Sequence, residues 1–381
     1  MTDSWILSDE EQQLTDSLFA IIVEHIQANG ILTVAEFMQL ALYYPGLGYY
    51  VNSKFKFGSI GDFVTAPKIS SLFGFCVAAQ IEQVFRETNV RHDVLEFGAG
   101  DASLAIDIVN SLGAVIDSYY ILELSTELQF QQYERIKEKA PLLLDKIKWI
   151  NNMPLAFDGI MLANEVLDAQ PCEVFSISAS GGVTGVGVGL DAQNQLIYAK
   201  SELSATASKI YHNLGLEHTN YTSELHPYNY GFVNSVASSL KKGLIIFIDY
   251  GYLQQEYYYA QRSSGSLRGF FRQRKIDNIL SMPGLIDITS SVNFSLIKQC
   301  AIDNGLDEVG YVSQANFLIN CGILDVLLKL RDNLDAIEYR YMVQQVEYLT
   351  SPLQMGDVFK VIAFSKDIQL NSYMGFNYNN L

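Results

Sequence analysis

An α/β fold built on a mostly parallel sheet is predicted by three features of the 381-residue sequence. From about residue 70 onward, apolar runs of strand length alternate with segments of helical periodicity. One run, Val94, Leu95 and Phe97, is cut off by Gly98 and Gly100, two glycines on either side of one residue. Two later runs, Phe157–Ala163 and Leu244–Ile248, pass straight into Asn164-Glu165 and Asp249. Parallel strands buried on both faces, with polar residues at their carboxyl ends, have that pattern.

Each element follows from its own residues. Leu14, Leu18, Phe19, Ile22 and Ile26 recur at helical spacing within 8–28, and Ser8 with Glu11 makes a capping box. Gly30 stops that helix, and Thr33 caps a second one running through Leu42. Residues 43–50 are a turn-rich aromatic stretch, and 58–67 hold too many glycines for a regular element, so a loop or lid is expected there. A long buried helix over 70–87 leads into the strand ending at Phe97. After the glycine turn, Leu104, Ala105, Ile108 and Val109 share one helix face. Tyr119–Leu122 is a second strand ending on Glu123, and a helix over 126–139 precedes a strand at 147–150. Phe157–Ala163 is the fourth strand.

Residues 173–177, 185–188 and 196–199 read as short antiparallel strands, with a mostly helical segment over 204–240 after them. The stretch 171–240 is therefore expected to be an insertion between the fourth and fifth strands. Leu244–Gly251 is the strongest strand. Beyond it lie a tyrosine cluster (Tyr250, Tyr252, Tyr257, Tyr258, Tyr259) and a basic run (Arg262, Arg268, Arg272, Arg274, Lys275), for which internal ion pairing or a partner contact is expected. A helix over 293–304, a strand over 306–313, a long helix or pair over 323–349 and a strand over 358–364 complete the chain. The domain organisation predicted is an N-terminal helical and Tyr/Gly-rich segment (1–60), a first half of the main domain (61–170), the inserted subdomain (171–240), and a second half (241–381) with a helical addition at about 314–350.

Composition narrows the function. Forty-two acidic against 25 basic residues give a net charge of −17, which disfavours a nucleic-acid partner and favours a basic protein segment. Cys76, Cys172, Cys300 and Cys321 are far apart and form no CxxC pair, so neither a metal site nor a disulfide framework is expected. No apolar run reaches the length of a membrane span, and the N-terminus lacks the features of a leader, so a cytoplasmic protein is expected.

The glycine pair carries the chemistry. Without Cβ atoms, backbone N–H groups approach a ligand closely at a strand's carboxyl end. A carboxylate at the next strand end, Glu123, accepts both hydroxyl hydrogens of a ribose. The third glycine of a dinucleotide fingerprint is replaced by Ser103, so a nucleoside without a pyrophosphate, such as S-adenosylmethionine, fits better than NAD. Glu165 and Asp168, just past the fourth strand, are the candidate catalytic carboxylates. The other reading of Asp168 is that it organises a turn before Pro171.

Several stretches resemble motifs of the MidA-like family of class I methyltransferases. They are Gly61–Pro67, Leu95–Gly100, Ala163–Pro171, Ile248–Gly251, Pro283–Thr289 and Met355–Val361, six in the family's order. The resemblance implies a Rossmann-like, seven-stranded, mostly parallel sheet with helices on both faces. It implies that Gly98 and Gly100 form the cofactor turn, Glu123 holds the ribose, Asn164 and Glu165 lie beside the methyl donor, and Asp62 sits in a capping loop. It also implies S-adenosylmethionine as cofactor and N-methylation of an arginine in a partner protein such as a respiratory complex I subunit, and it is compatible with an oligomer. The chain departs from the family's usual pattern at Lys68, Ala102, Ile276, Ser291 and Asn293. These departures favour the alternative of a methyltransferase-fold assembly protein that has lost catalysis.

Overall fold

The computed structural model describes residues 5–52 and 65–377. They form two compact units. The larger takes in residues 65–168, 231–252 and 292–377. Its strands are β1 (Asp93–Phe97), β2 (Ser118–Leu122), β3 (Ile147–Ile150), β4 (Phe157–Asn164), β5 (Leu240–Tyr252), β6 (Val292–Asn293), β7 (Asp307–Ser313) and β8 (Phe359–Lys366). Seven of them make one path in the order β7-β8-β5-β4-β1-β2-β3, and the two-residue β6 lies off it, beside the end of β5. Pairing is parallel from β5 through β3, and β8 runs antiparallel to both β5 and β7. The path extends outward in both directions from the neighbouring strands β1 and β4. Open α/β sheets bind ligands at such a point, beyond the carboxyl ends of the strands.

The sheet is held by burial of its strand interiors. Val94, Leu95, Ile160, Met161, Leu162 and the run Leu244–Ile248 are at most 1% exposed. Val94 and Ile160, together with Leu244, Ile246 and Ile248 of the last run, share one apolar cluster with the helices Ser71–Glu87 and Ser103–Leu112. Removing such side chains from water contributes roughly 1.5–3 kcal/mol each, and that sets the pairing register. The helical addition begins with Gln314–Asn320, and the long helix or pair expected over 323–349 is a pair, Ile323–Leu330 and Ala336–Thr350. Gly322, at φ 85°, separates the first two, and an Asp335–Glu338 capping box starts the third.

The smaller unit takes in residues 5–52, 169–230 and 253–291 and has its own apolar cluster. Helices Asp9–Asn29 and Val34–Tyr43 start at the capping boxes of Ser8–Glu11 and Thr33–Glu36. Leu32–Thr33, Glu173–Ile177, Val183–Leu190, Leu196–Ser201 and Tyr221–Leu225 form a five-stranded antiparallel sheet. Tyr221–Leu225 falls inside the segment expected to be mostly helical. Its polar centre, Thr222-Ser223-Glu224, gave no strand alternation.

Residues 253–291, expected with the second half of the main domain, lie in this smaller unit. Arg268–Phe271, Arg274–Ile276 and Asp287–Thr289 pair among themselves as a three-stranded sheet, and Phe271, Ile276 and Ile288 enter its core. The hairpin turns on Arg272 and Gln273, both at positive φ (50° and 62°), without the glycine or asparagine that marks such turns. Arg272 meets Glu11 at 2.9 Å, so part of the basic run does serve internal ion pairing.

A buried carboxylate anchors the tyrosine cluster. Glu224, 1% exposed, accepts the backbone N–H groups of Ser266 (2.8 Å) and Leu267 (3.0 Å) and the hydroxyls of Tyr257 (2.8 Å) and Ser266 (3.0 Å). Four donors on one carboxylate offset its loss of water.

Glycines in the larger unit give a paired stability test. Gly243 in β5 sits at φ 139°, and a Cβ there would drive into the carbonyl of Gly159 on β4. Gly231, in the helix Pro227–Ser239, has open space around it. Gly243→Ala is expected to destabilise by about 3 kcal/mol or more, whereas Gly231→Ala stabilises by about 0.5–1 kcal/mol. Urea unfolding of the two variants beside the parent measures both.

Candidate active site

Three strand ends of the larger unit build this site: those of β1, β2 and β4. Beyond β1, Gly98 and Gly100 adopt φ 62° and 56°, and Gly98 is exposed. The Gly98 N–H bonds the Leu122 carbonyl at 3.0 Å, which ties the turn to the end of β2. Ala102 also lies in the left-handed region, at φ 63°, as the cap of the helix Ser103–Leu112. A methyl at that φ costs roughly 1 kcal/mol. Its side chain is wholly buried, and that burial returns a similar amount, so Ala is tolerated where glycine would be the natural choice.

Glu123 stands at the end of β2, 8% exposed, and accepts the Ser125 N–H at 2.9 Å. Gln132 reaches it at 3.3 Å and also donates to the Gly100 carbonyl at 2.9 Å, while its own oxygen takes the Trp149 indole N–H at 2.8 Å. One amide thus links the glycine turn to the acidic strand end. Gln132 was not singled out from the sequence. It sits on an ordinary amphipathic helix, and only the fold turns it toward Gly100.

Beyond β4 the chain makes a tight polar turn. Glu165, a non-glycine residue, adopts φ 53°, and its N–H continues the ladder to the Ile248 carbonyl at 2.9 Å. The Asn164 amide donates to Glu165 Oε1 at 3.2 Å. Asn164 Oδ1 is buried and has no hydrogen-bond partner among the described residues, as expected of an acceptor reserved for a bound group. Asp168 is 5% exposed, and the backbone N–H groups of Leu167 and Asp168 both bond Asp249. Val166 Cγ2 lies 3.6 Å from where a Cβ on Gly98 would stand, so the turns after β1 and β4 are neighbours. Glu123 approaches the same glycine turn through Gln132. Asp62 lies outside the described residues.

The charge on the glycine turn is balanced locally. Asp101, in the glycine turn, meets Arg135 at 2.8 Å and Lys68 at 3.8 Å, and Arg135 also bonds Ser103 at 2.9 Å. Burial lowers the Lys68 ammonium below its usual value of 10.5, with the Asp101 charge opposing. Inside β1, burial pushes the Glu96 carboxyl up to about 8, although it accepts the Tyr119 hydroxyl at 2.8 Å. Asp107 is raised by burial to about 7. No group of three or more His, Cys, Asp or Glu residues among the described residues could hold a metal ion.

Comparisons with known proteins agree with this geometry. Residues 76–312, more than half of the chain, match the model of a family described as S-adenosyl-L-methionine-dependent methyltransferases. The chain belongs to that family. A crystal structure of a COG1565 superfamily member from Burkholderia thailandensis, bound to S-adenosyl-homocysteine, superposes with a TM-score of 0.92 at 34% identity, covering 98% of both chains. The mitochondrial protein arginine methyltransferase NDUFAF7 of Danio rerio is 26% identical over 389 residues, covering 93% of this chain and 88% of its own. Its human counterpart is 28% identical over 375 residues, covering 89% and 81%. The MidA-like resemblance and the methyltransferase fold are therefore correct. Among the described residues, no helix is long and apolar enough to cross a membrane.

Glu96 makes stability depend on pH in a defined direction. Its carboxyl rises from the ordinary 4.5 to about 8, so between those values the folded chain holds a proton that the unfolded chain has released. Stability therefore falls as the pH rises through this window, and Asp107 adds to the fall with the same sign. Thermal unfolding of Glu96→Gln from pH 5 to pH 8 should show a shallower decline in Tm than the parent. An unchanged slope would assign the dependence elsewhere.

Proposed function

We propose that this methyltransferase transfers the methyl group of S-adenosylmethionine to an arginine side chain of a protein partner. The observation that carries the reading is the polar turn Asn164–Asp168, set at the end of β4 beside the glycine turn of a family that uses this cofactor. Bound S-adenosylmethionine supplies an electrophilic methyl group. Gly98 and Gly100 let the backbone approach the cofactor, Glu123 accepts the ribose hydroxyls, and Asn164 uses its buried Oδ1 as an acceptor. These residues fit the group.

Glu165 and Asp168 take the acceptor side. A guanidinium stays protonated near neutral pH, so it is a poor nucleophile until carboxylates orient it and favour loss of a proton. Bidentate hydrogen bonding by a carboxylate fixes the plane of the guanidinium and hence which nitrogen faces the methyl. A net charge of −17 supports an arginine-bearing, basic segment as the partner surface. The arginine methyltransferase names of the NDUFAF7 relatives support the same substrate class. A respiratory complex I subunit is the partner to try first.

Two substitutions test the division of labour. Glu123→Ala removes a charged acceptor and should weaken S-adenosylmethionine binding by roughly 10- to 100-fold in calorimetric titration. Glu165→Gln should leave that affinity within about threefold while lowering transfer to an arginine peptide by roughly 100-fold or more. Tight cofactor binding with no transfer from the parent protein to any arginine-bearing partner would instead favour the assembly-protein reading. Unaltered turnover in Glu165→Gln would remove the catalytic assignment.

A further inference from the structure

Asp249 lies where a carboxylate is hardest to keep. It follows the fully buried run Leu244–Ile248 of β5, and it is itself 1% exposed. No cation lies within ion-pair distance of it among the described residues. Backbone N–H groups take the place of a counter-charge. Oδ1 accepts the N–H of Tyr250 at 2.8 Å, and Oδ2 accepts those of Leu167 at 2.9 Å and Asp168 at 3.2 Å.

Two of the three donors belong to the turn that carries the proposed catalytic carboxylates. Leu167 and Asp168 are 1% and 5% exposed, so losing Asp249 takes an acceptor from two N–H groups where little water can replace it. The Glu165 N–H bonds the preceding β5 residue, Ile248. Three N–H groups of one four-residue stretch are therefore tied to two consecutive residues of β5. Glu165 is held at φ 53°, a conformation a free glutamate rarely adopts, and it persists only where its surroundings impose it. The tie also works against repulsion. Burial, and next the Glu165 charge, push the Asp249 carboxyl up.

We propose that Asp249 is a positioning residue of the transfer reaction: its carboxylate fixes the Glu165–Asp168 turn and so sets the direction of both catalytic carboxylates. This rests on the methyltransferase reading above, with Asp249 acting through the turn that it ties down.

The test is Asp249→Asn in the full chain. Asparagine keeps the size and one acceptor oxygen, but its NH2 group faces N–H donors where an oxygen stood. Small displacements of catalytic groups cost on the order of 100-fold in rate. Turnover on an arginine peptide should therefore fall roughly 100-fold, with S-adenosylmethionine affinity within about threefold. The Leu167 and Asp168 amides should exchange hydrogen at least about tenfold faster. Turnover within threefold of the parent would overturn the proposal. So would a parallel loss of Tm, cofactor affinity and turnover, the mark of a merely structural residue. Should Asp249→Asn fail to fold, Asp249→Ser, which keeps a hydroxyl acceptor, takes its place under the same criteria. If the parent itself transfers no methyl group, the functional reading fails on its own. Amide exchange then decides for Asp249: unchanged rates at Leu167 and Asp168 overturn the tie.

Discussion

A carboxylate can sit at the end of a buried strand only where hydrogen-bond donors converge on it, and this constraint shapes the larger unit. Four of its parallel strands bring a carboxylate to or near their ends, and Glu165, just past β4, takes the Asn164 amide. Glu123 is met by Ser125 and Gln132, and Asp249 by Tyr250, Leu167 and Asp168. Glu96, one residue before the end of β1, has the Tyr119 hydroxyl. Each set of donors recruits the segment that supplies it. Gln132 is thereby drawn to the glycine turn, and the residues after β4 are drawn to β5. The geometry of the site is in this sense a by-product of satisfying buried carboxyl groups. Losing a single acceptor leaves donors stranded, a penalty of about 1–3 kcal/mol for each buried group.

The smaller unit obeys the same rule with different residues. Glu224 collects two backbone N–H groups and two hydroxyls, and so holds the loop before Arg268–Phe271 beside the strand Tyr221–Leu225. Gly265, at φ 71°, permits this, because a Cβ there would strike the Glu224 carboxylate. Each unit closes around its own apolar cluster, one centred on the parallel sheet and the other on the N-terminal helices and antiparallel strands.

Elements with strong periodicity were legible in the sequence. The helices Asp9–Asn29, Ser71–Glu87 and Thr126–Lys139, and the strands β3, β4 and β8, fall within a few residues of where composition and capping residues put them. The misses have physical causes. Tyr221–Leu225 is stabilised by its neighbour Glu173–Ile177 rather than by its own polar sequence. The hairpin at 268–276 turns through Arg272 and Gln273, which tolerate positive φ only because the paired strands impose it. At the site, Gly98, Gly100 and Glu123 were visible because turn chemistry and strand ends leave local marks. Gln132 and the role of Asp249 were not. Its partners in the turn, Leu167 and Asp168, are 82 and 81 residues away in sequence, and no local pattern encodes such a contact.

The central claim is that the turns after β1, β2 and β4 together form one cofactor site. A crystal structure of this protein with S-adenosyl-homocysteine tests it most directly. The account predicts the nucleoside over Gly98 and Gly100, ribose hydroxyls on Glu123, and a polar contact to Asn164 Oδ1. Ligand density away from the glycine turn, or a ribose that makes no contact with Glu123, would contradict it.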